Sequence, residues 1–156
     1  MGWRTIDQGL VLKAALTGGL IAGLVDVGAA SIINRTSPRV ILQAIASGIL
    51  GMSAYKLSWT VLFGLVLQVV MSILIAAIYS EAAAAMPSLR RHPYQSGLAY
   101  GVVVFLVMNF VVVPLSAAAP KPAHVTVAWL LMNVGAMLLF GVLVSLAANR
   151  ILADRS

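Results

Sequence analysis

Asp26 is the one acid placed well inside an apolar run, Gln8 to Ile33. An ionisable side chain at the centre of a bilayer costs about 2.5–3.5 kcal/mol to insert, so it persists where it faces protein or water. Three amides are placed alike, Gln68, Asn109 and Asn133, each inside a later apolar run. A carboxyl among amides can hold a proton, a cation or a polar substrate group. The plainer reading is a clasp, with Asp, Asn and Gln hydrogen-bonding across neighbouring helices.

The other candidates are fewer. Glu81 and the Arg90-Arg91 pair flank one turn, where an ion pair is expected. His92 and His124 fall in turns on opposite sides of the bundle and cannot share a metal. The seven methionines are scattered and read as core filling, since copper ligands need clustered spacing. The absence of cysteine removes disulfides, thiolate metal sites and cysteine catalysis. No nucleophile–base pair, phosphate loop or metal-ligand set is visible, and Asp26 stands without a second acid. The chain is therefore expected to be non-enzymatic and to need no cofactor.

Composition decides what must position these side chains. Of 156 residues, 62% are hydrophobic and 9% charged. A soluble domain runs about 45–50% apolar and about 25% charged, so this chain cannot cover a water-facing surface. It reads as all-α: an integral membrane four-helix bundle in contact with lipid. The net charge of +6 does not point to nucleic acid. The basic residues flank the apolar runs, where they meet headgroups, and form no stripe interleaved with aromatics.

Four runs are long enough to span, given about 20 apolar residues per crossing. They cover about residues 8–33, 58–86, 94–115 and 124–150 of a single membrane domain, 1–156. The first could be mistaken for a signal peptide, but it is too long for an h-region and holds Asp26. The second is longer than the hydrocarbon needs, so Ser80 to Ala85 should protrude or impose tilt. Pro87 ends it, and Ser88 to Pro93 form a short basic turn. Between the first two spans, about residues 38–52 are too short to cross. Val40, Ile41, Ala44, Ile45, Gly48 and Ile49 recur with a helical period, with Gln43 and Ser47 opposite, so this is an interfacial or re-entrant helix. Tyr55, Lys56 and Trp59 mark the return through the interface.

Orientation follows from basic residues. The side holding both termini carries Arg4, Lys13, Arg90, Arg91, Arg150 and Arg155; the other carries Arg35, Arg39, Lys56 and Lys121. Six against four places both termini in the cytoplasm. With about 1.5 Å of rise per residue, Asp26 falls about 8 Å, Gln68 and Asn109 about 7 Å and Asn133 about 6 Å from the span midpoints, all toward the side opposite the termini. One polar residue per span in one layer predicts a buried cluster. Small residues at four-residue spacing, Ala15, Gly19 and Gly23 in the first span and Gly97 and Gly101 in the third, predict close helix contacts.

From Gln68 onward, Ser72-Ile73, Ala76, Tyr79, Glu81 and Pro87 lead to Gly97-Leu98, Gly101 and Pro114-Leu115, after an opening Gly19-Leu20-Ile21-Ala22-Gly23 and Ser37-Pro38. This order resembles the YagU-like group of small four-span bacterial inner-membrane proteins, and the resemblance covers most of the chain. It implies a fold and a location, not a reaction. In that group the positions matching Gln68, Asn109 and Asn133 can be histidine. The amides here neither take up a proton near neutral pH nor readily ligate a transition metal, so only hydrogen bonding carries over. The expected role is an accessory or assembly subunit of an inner-membrane complex, in contact with other membrane chains or itself. A small oligomeric channel or transporter using the polar layer is the alternative.

Overall fold

A computed structural model describes residues 7–118 and 126–153. Trp3, Arg4, Ala119, Lys121, His124 and Arg155, which figure in the boundary and orientation arguments, lie outside the described residues. Among the described residues there is no strand. The helices are α1 (Gln8–Ile33), α2 (Pro38–Leu50), α3 (Thr60–Ala85), α4 (Pro87–Arg91), α5 (Pro93–Val107), α6 (Val113–Leu115) and α7 (Val127–Ala153). A 3-10 turn, Gly51–Lys56, follows α2, and a π-helical turn, Met108–Val112, joins α5 to α6.

Four segments are long and apolar enough to cross a membrane: Gln8–Ile33, Thr60–Ala85, Pro93–Leu115 and Val127–Ala153. Their outward faces are those of a protein in lipid, with Leu24, Leu62, Leu74, Phe110 and Leu131 each more than 60% exposed. In water such a surface would collapse or aggregate. The protein is a multi-pass, all-α membrane bundle.

α7 packs along α5 on one side and α1 on the other, α1 packs along α3, and α2 lies against the start of α3. The order α5–α7–α1–α3 leaves α3 and α5 without a comparable shared face. The core is correspondingly lopsided. Val11, Ala14, Ala22, Ala76, Tyr79, Ala83, Phe140, Val144, Ala148 and Leu152 form one buried cluster, running from mid-bundle into the half that holds the start of α1 and the end of α7. Ser80 and Ala83 are buried there, so the last turns of α3 pack inside the bundle.

Glycines set the helix spacing along the bundle. A Cβ on Gly19 would lie 2.6 Å from the Ile73 backbone, and one on Gly23 2.9 Å from the Ser72 Cβ. On Gly97 it would lie 2.7 Å from the Val142 backbone, and on Gly101 2.5 Å from the Met137 carbonyl. Two further close approaches lie outside the glycine pairs that the sequence singled out. Gly141 abuts Gly97 and Gly101, and Gly64 lies against the Leu42 carbonyl of α2.

Two local features differ from the sequence expectation. Residues from Pro87 to Arg91 are helical, with Pro87 in the first turn, where its missing N–H costs nothing. The third span is not one continuous α-helix. Pro114 cannot donate a backbone hydrogen bond and its ring crowds the carbonyl four residues back. The chain widens into the π turn just before it, and the Val113 N–H donates to the Met108 carbonyl.

Candidate functional site

The packed half is locked by hydroxyl groups. The Tyr79 hydroxyl lies 2.8 Å from Ser96 Oγ and 2.7 Å from Ser145 Oγ, joining α3, α5 and α7. Ser145 donates to the Pro93 carbonyl at 2.7 Å and Ser96 to the Leu89 carbonyl at 2.9 Å. Tyr100 of α5 donates to the Ile75 carbonyl of α3 at 2.6 Å, and its ring centre is 5.0 Å from that of Tyr79. In this half the tyrosines bridge α3 and α5. The sequence names Tyr79 only within a resemblance and says nothing of Tyr100, Ser96 or Ser145, whose contacts depend on which helices are neighbours.

Beyond Tyr100 the two helices part, and a cavity of about 380 Å³ opens. Its lining comes from every spanning helix, including Leu67, Met71 and Ile75 of α3, Val104 of α5, Met108 and Val112 of the π turn, and Met137 and Phe140 of α7. Asp26, Gln68 and Ser72 supply polar groups. The widened backbone at Met108–Val112 is thus a wall of the cavity.

α2 closes the far end in an unexpected orientation. Gln43 and Ser47, placed by periodicity on the side away from the apolar residues, are buried at 7% and 1% exposure. Gln43 Nε2 donates to the Leu57 carbonyl at 3.3 Å, while Thr60 Oγ1 donates to the Ala54 carbonyl at 2.6 Å. The polar face of α2 satisfies the carbonyls of the 3-10 turn and its end. Its apolar face, Ile41, Ala44, Ile45, Gly48 and Ile49, lines the cavity. The Ala117 N–H donates to the Gly48 carbonyl at 2.8 Å and pins the chain after α6 to α2.

The four predicted polar residues do not form one cluster. Gln68 Nε2 donates to Asp26 Oδ2 at 3.1 Å and to the Gly23 carbonyl at 3.2 Å, so α1 and α3 are clasped. Asn109 donates to the Phe105 carbonyl of its own α5 at 2.9 Å, and Asn133 to the Trp129 carbonyl of its own α7 at 2.8 Å. Neither lines the cavity. Equal depth is not equal azimuth, and an amide can also bond to the carbonyl four residues back in its own span. The predicted ion pair is also replaced. Arg90 Nη1 donates to the Leu152 carbonyl at 3.2 Å, capping the end of α7, and no ion pair joins Glu81 to Arg90 or Arg91 among the described residues. A bare carbonyl at a helix C-terminus attracts a cation.

What these features define is a membrane protein with a lateral, apolar intramembrane cavity edged by a carboxyl–amide pair. Its particular relatives are not identified: no family profile, no curated protein and no solved structure matches the chain.

Proposed function

We propose that this protein acts without chemistry of its own, by binding, and that it takes an apolar molecule from the lipid phase into the cavity between α3 and α5. The observation that carries the reading is the cavity itself, about 380 Å³ in the half where those helices have parted. Sites for small molecules are typically about 300–1,000 Å³, mostly apolar, with a few convergent polar groups. Such a site suits a small oligomeric transporter or carrier, each copy contributing four spans to the path. The setting we propose is a bacterial inner membrane with both termini cytoplasmic, supported by the six-to-four excess of basic residues on that side. Kinship with the YagU-like group belongs to the same proposal.

The test uses the full chain in nanodiscs, with 1,1,1-triphenylethane as a neutral apolar probe and empty nanodiscs as the blank. Retention above the blank by the parent chain, lost in Met71→Trp, is the expected result. Equal retention by the filled variant would place the probe elsewhere and end this reading.

A second reading, an accessory or assembly subunit that contacts other membrane chains, has its own observation. A Cβ on Gly28 of α1 or Gly135 of α7 would meet nothing within 4 Å. These glycines set no contact inside the bundle, and they leave the backbone open to close approach by another helix. Cross-linking from Gly28→Cys in native membranes to a second, different chain would favour it. A linkage only to a further copy, or none, would count against it.

A further inference from the structure

We propose that the cavity selects a lipophilic cation, an amine or onium group on an apolar body, with the Asp26 carboxylate as its counter-charge. This rests on the cavity being a binding site, and it names what the site prefers.

The argument is the sign of the polar lining. Among the described residues no Lys, Arg or His lines the cavity, and Asp26 is the ionisable residue in its wall. The hydrogen-bond donors there are already largely engaged. Gln68 Nε2 is directed at Asp26 Oδ2 and the Gly23 carbonyl, which uses both amide hydrogens. Ser116 Oγ donates to the Val113 carbonyl at 2.8 Å. The Ser72 hydroxyl remains as a donor, with no charge to offer. An anion entering this space would find no cation and one weak donor, beside a carboxyl group.

A cation meets the opposite situation. Gln68 holds one oxygen of Asp26 in place, and among the described residues no hydrogen bond reaches the other, Oδ1. A carboxylate beside apolar walls, with no basic residue in the same lining among the described residues, calls for the partner that buried charges require. A ligand cation would supply it, while Leu67, Met71, Ile75, Met108 and Phe140 take the apolar body. The methionines add polarizable, adaptable contact to a ligand of irregular shape. Beside the site α3 and α5 share no comparable packed face.

The experiment compares two probes of one shape on the full chain in nanodiscs: methyltriphenylphosphonium and its neutral carbon counterpart, 1,1,1-triphenylethane. Retention above empty nanodiscs is measured by equilibrium dialysis for the parent chain, Asp26→Asn, Asp26→Glu and Met71→Trp. We expect the cation to be preferred by about tenfold or more, the scale of one charge pair in a partly screened site. Asp26→Asn should remove that preference and leave the neutral probe unchanged, because the asparagine oxygen still accepts from Gln68. Asp26→Glu should restore it, and Met71→Trp should abolish both. Equal retention of the two probes by the parent chain, or a preference that survives in Asp26→Asn, would overturn the counter-charge proposal and leave the cavity reading standing. No retention of either probe by the parent chain would overturn both. If Asp26→Asn fails to fold by circular dichroism and gel filtration, the comparison of the two probes on the parent chain decides alone.

Discussion

In the half of the bundle where α1 begins and α7 ends, α3, α5 and α7 meet through Tyr79, Ser96 and Ser145, and glycines bring backbones almost into contact. In the other half α3 and α5 separate around a cavity, a carboxyl–amide pair joins α1 to α3, and Trp129 of α7 donates to Asn34 just beyond α1. The same four spans thus run from a locked end to an open one. Lipid offers no hydrophobic drive to close a gap between helices, since acyl chains are as apolar as leucine. Where small residues and hydroxyls supply contact the bundle closes. Where the facing residues are Leu67, Met71, Met108 and Val112 nothing obliges it to.

That contrast is broken most severely at Gly141. Gly141→Leu should drive α5 from α7, because the new side chain points at the Gly97 and Gly101 backbone. Overpacking typically costs about 1–3 kcal/mol and more when a backbone must move, so this variant should aggregate or lose most of its thermal stability in detergent. Gly19→Leu should behave similarly against Ile73, whereas Gly135→Leu, with nothing within 4 Å, should melt as the parent does. A Gly135 variant as damaged as the Gly141 variant would erase the difference between the two ends.

Tyr79→Phe comes next. It leaves Ser96 and Ser145 without their shared phenol and should destabilise by about 1–3 kcal/mol, read as a lower melting temperature. A smaller cost is expected at the open end. Asp26→Leu removes one of the two acceptors of Gln68, which keeps the Gly23 carbonyl, so the loss should be about 1 kcal/mol, with Asp26→Asn close to neutral. If the order of Tyr79→Phe and Asp26→Leu were reversed, the clasp of α1 to α3 would matter more than the locked end.

Orientation is tested without any change in stability. Ser47 is a poor labelling site because it is buried at 1% exposure. Ser53 and Ser88 are exposed at opposite ends of the bundle. A cysteine at Ser88 should react with an impermeant maleimide from the cytoplasmic side and one at Ser53 from the other. The converse pattern would reverse the topology and put the cavity nearer the cytoplasm.

The sequence by itself determined what is local. Apolar runs longer than a bilayer needs, ended by Asn34-Arg35 and Met86-Pro87, mark helices that must satisfy their own backbone in lipid. Glycine at Gly19, Gly23, Gly97 and Gly101 marks places where a helix can be approached, since a missing Cβ is a property of one residue. Depth was legible too, because rise per residue is constant. The tertiary structure decided everything that depends on direction around the axis and on which neighbour arrives there. Asp26 and Gln68 face each other because Gly19 and Gly23 let α1 and α3 touch. Asn109 and Asn133, at similar depth, bond to carbonyls of their own helices. Gln43 turns inward because the carbonyls of Ala54 and Leu57 after α2 are there to receive it, while Ser47, buried beside it, bonds to the Ala44 carbonyl of its own helix. An amide or hydroxyl carries the same hydrogen-bonding capacity in every setting, and only the spacing of the helices tells it whose carbonyl is within reach.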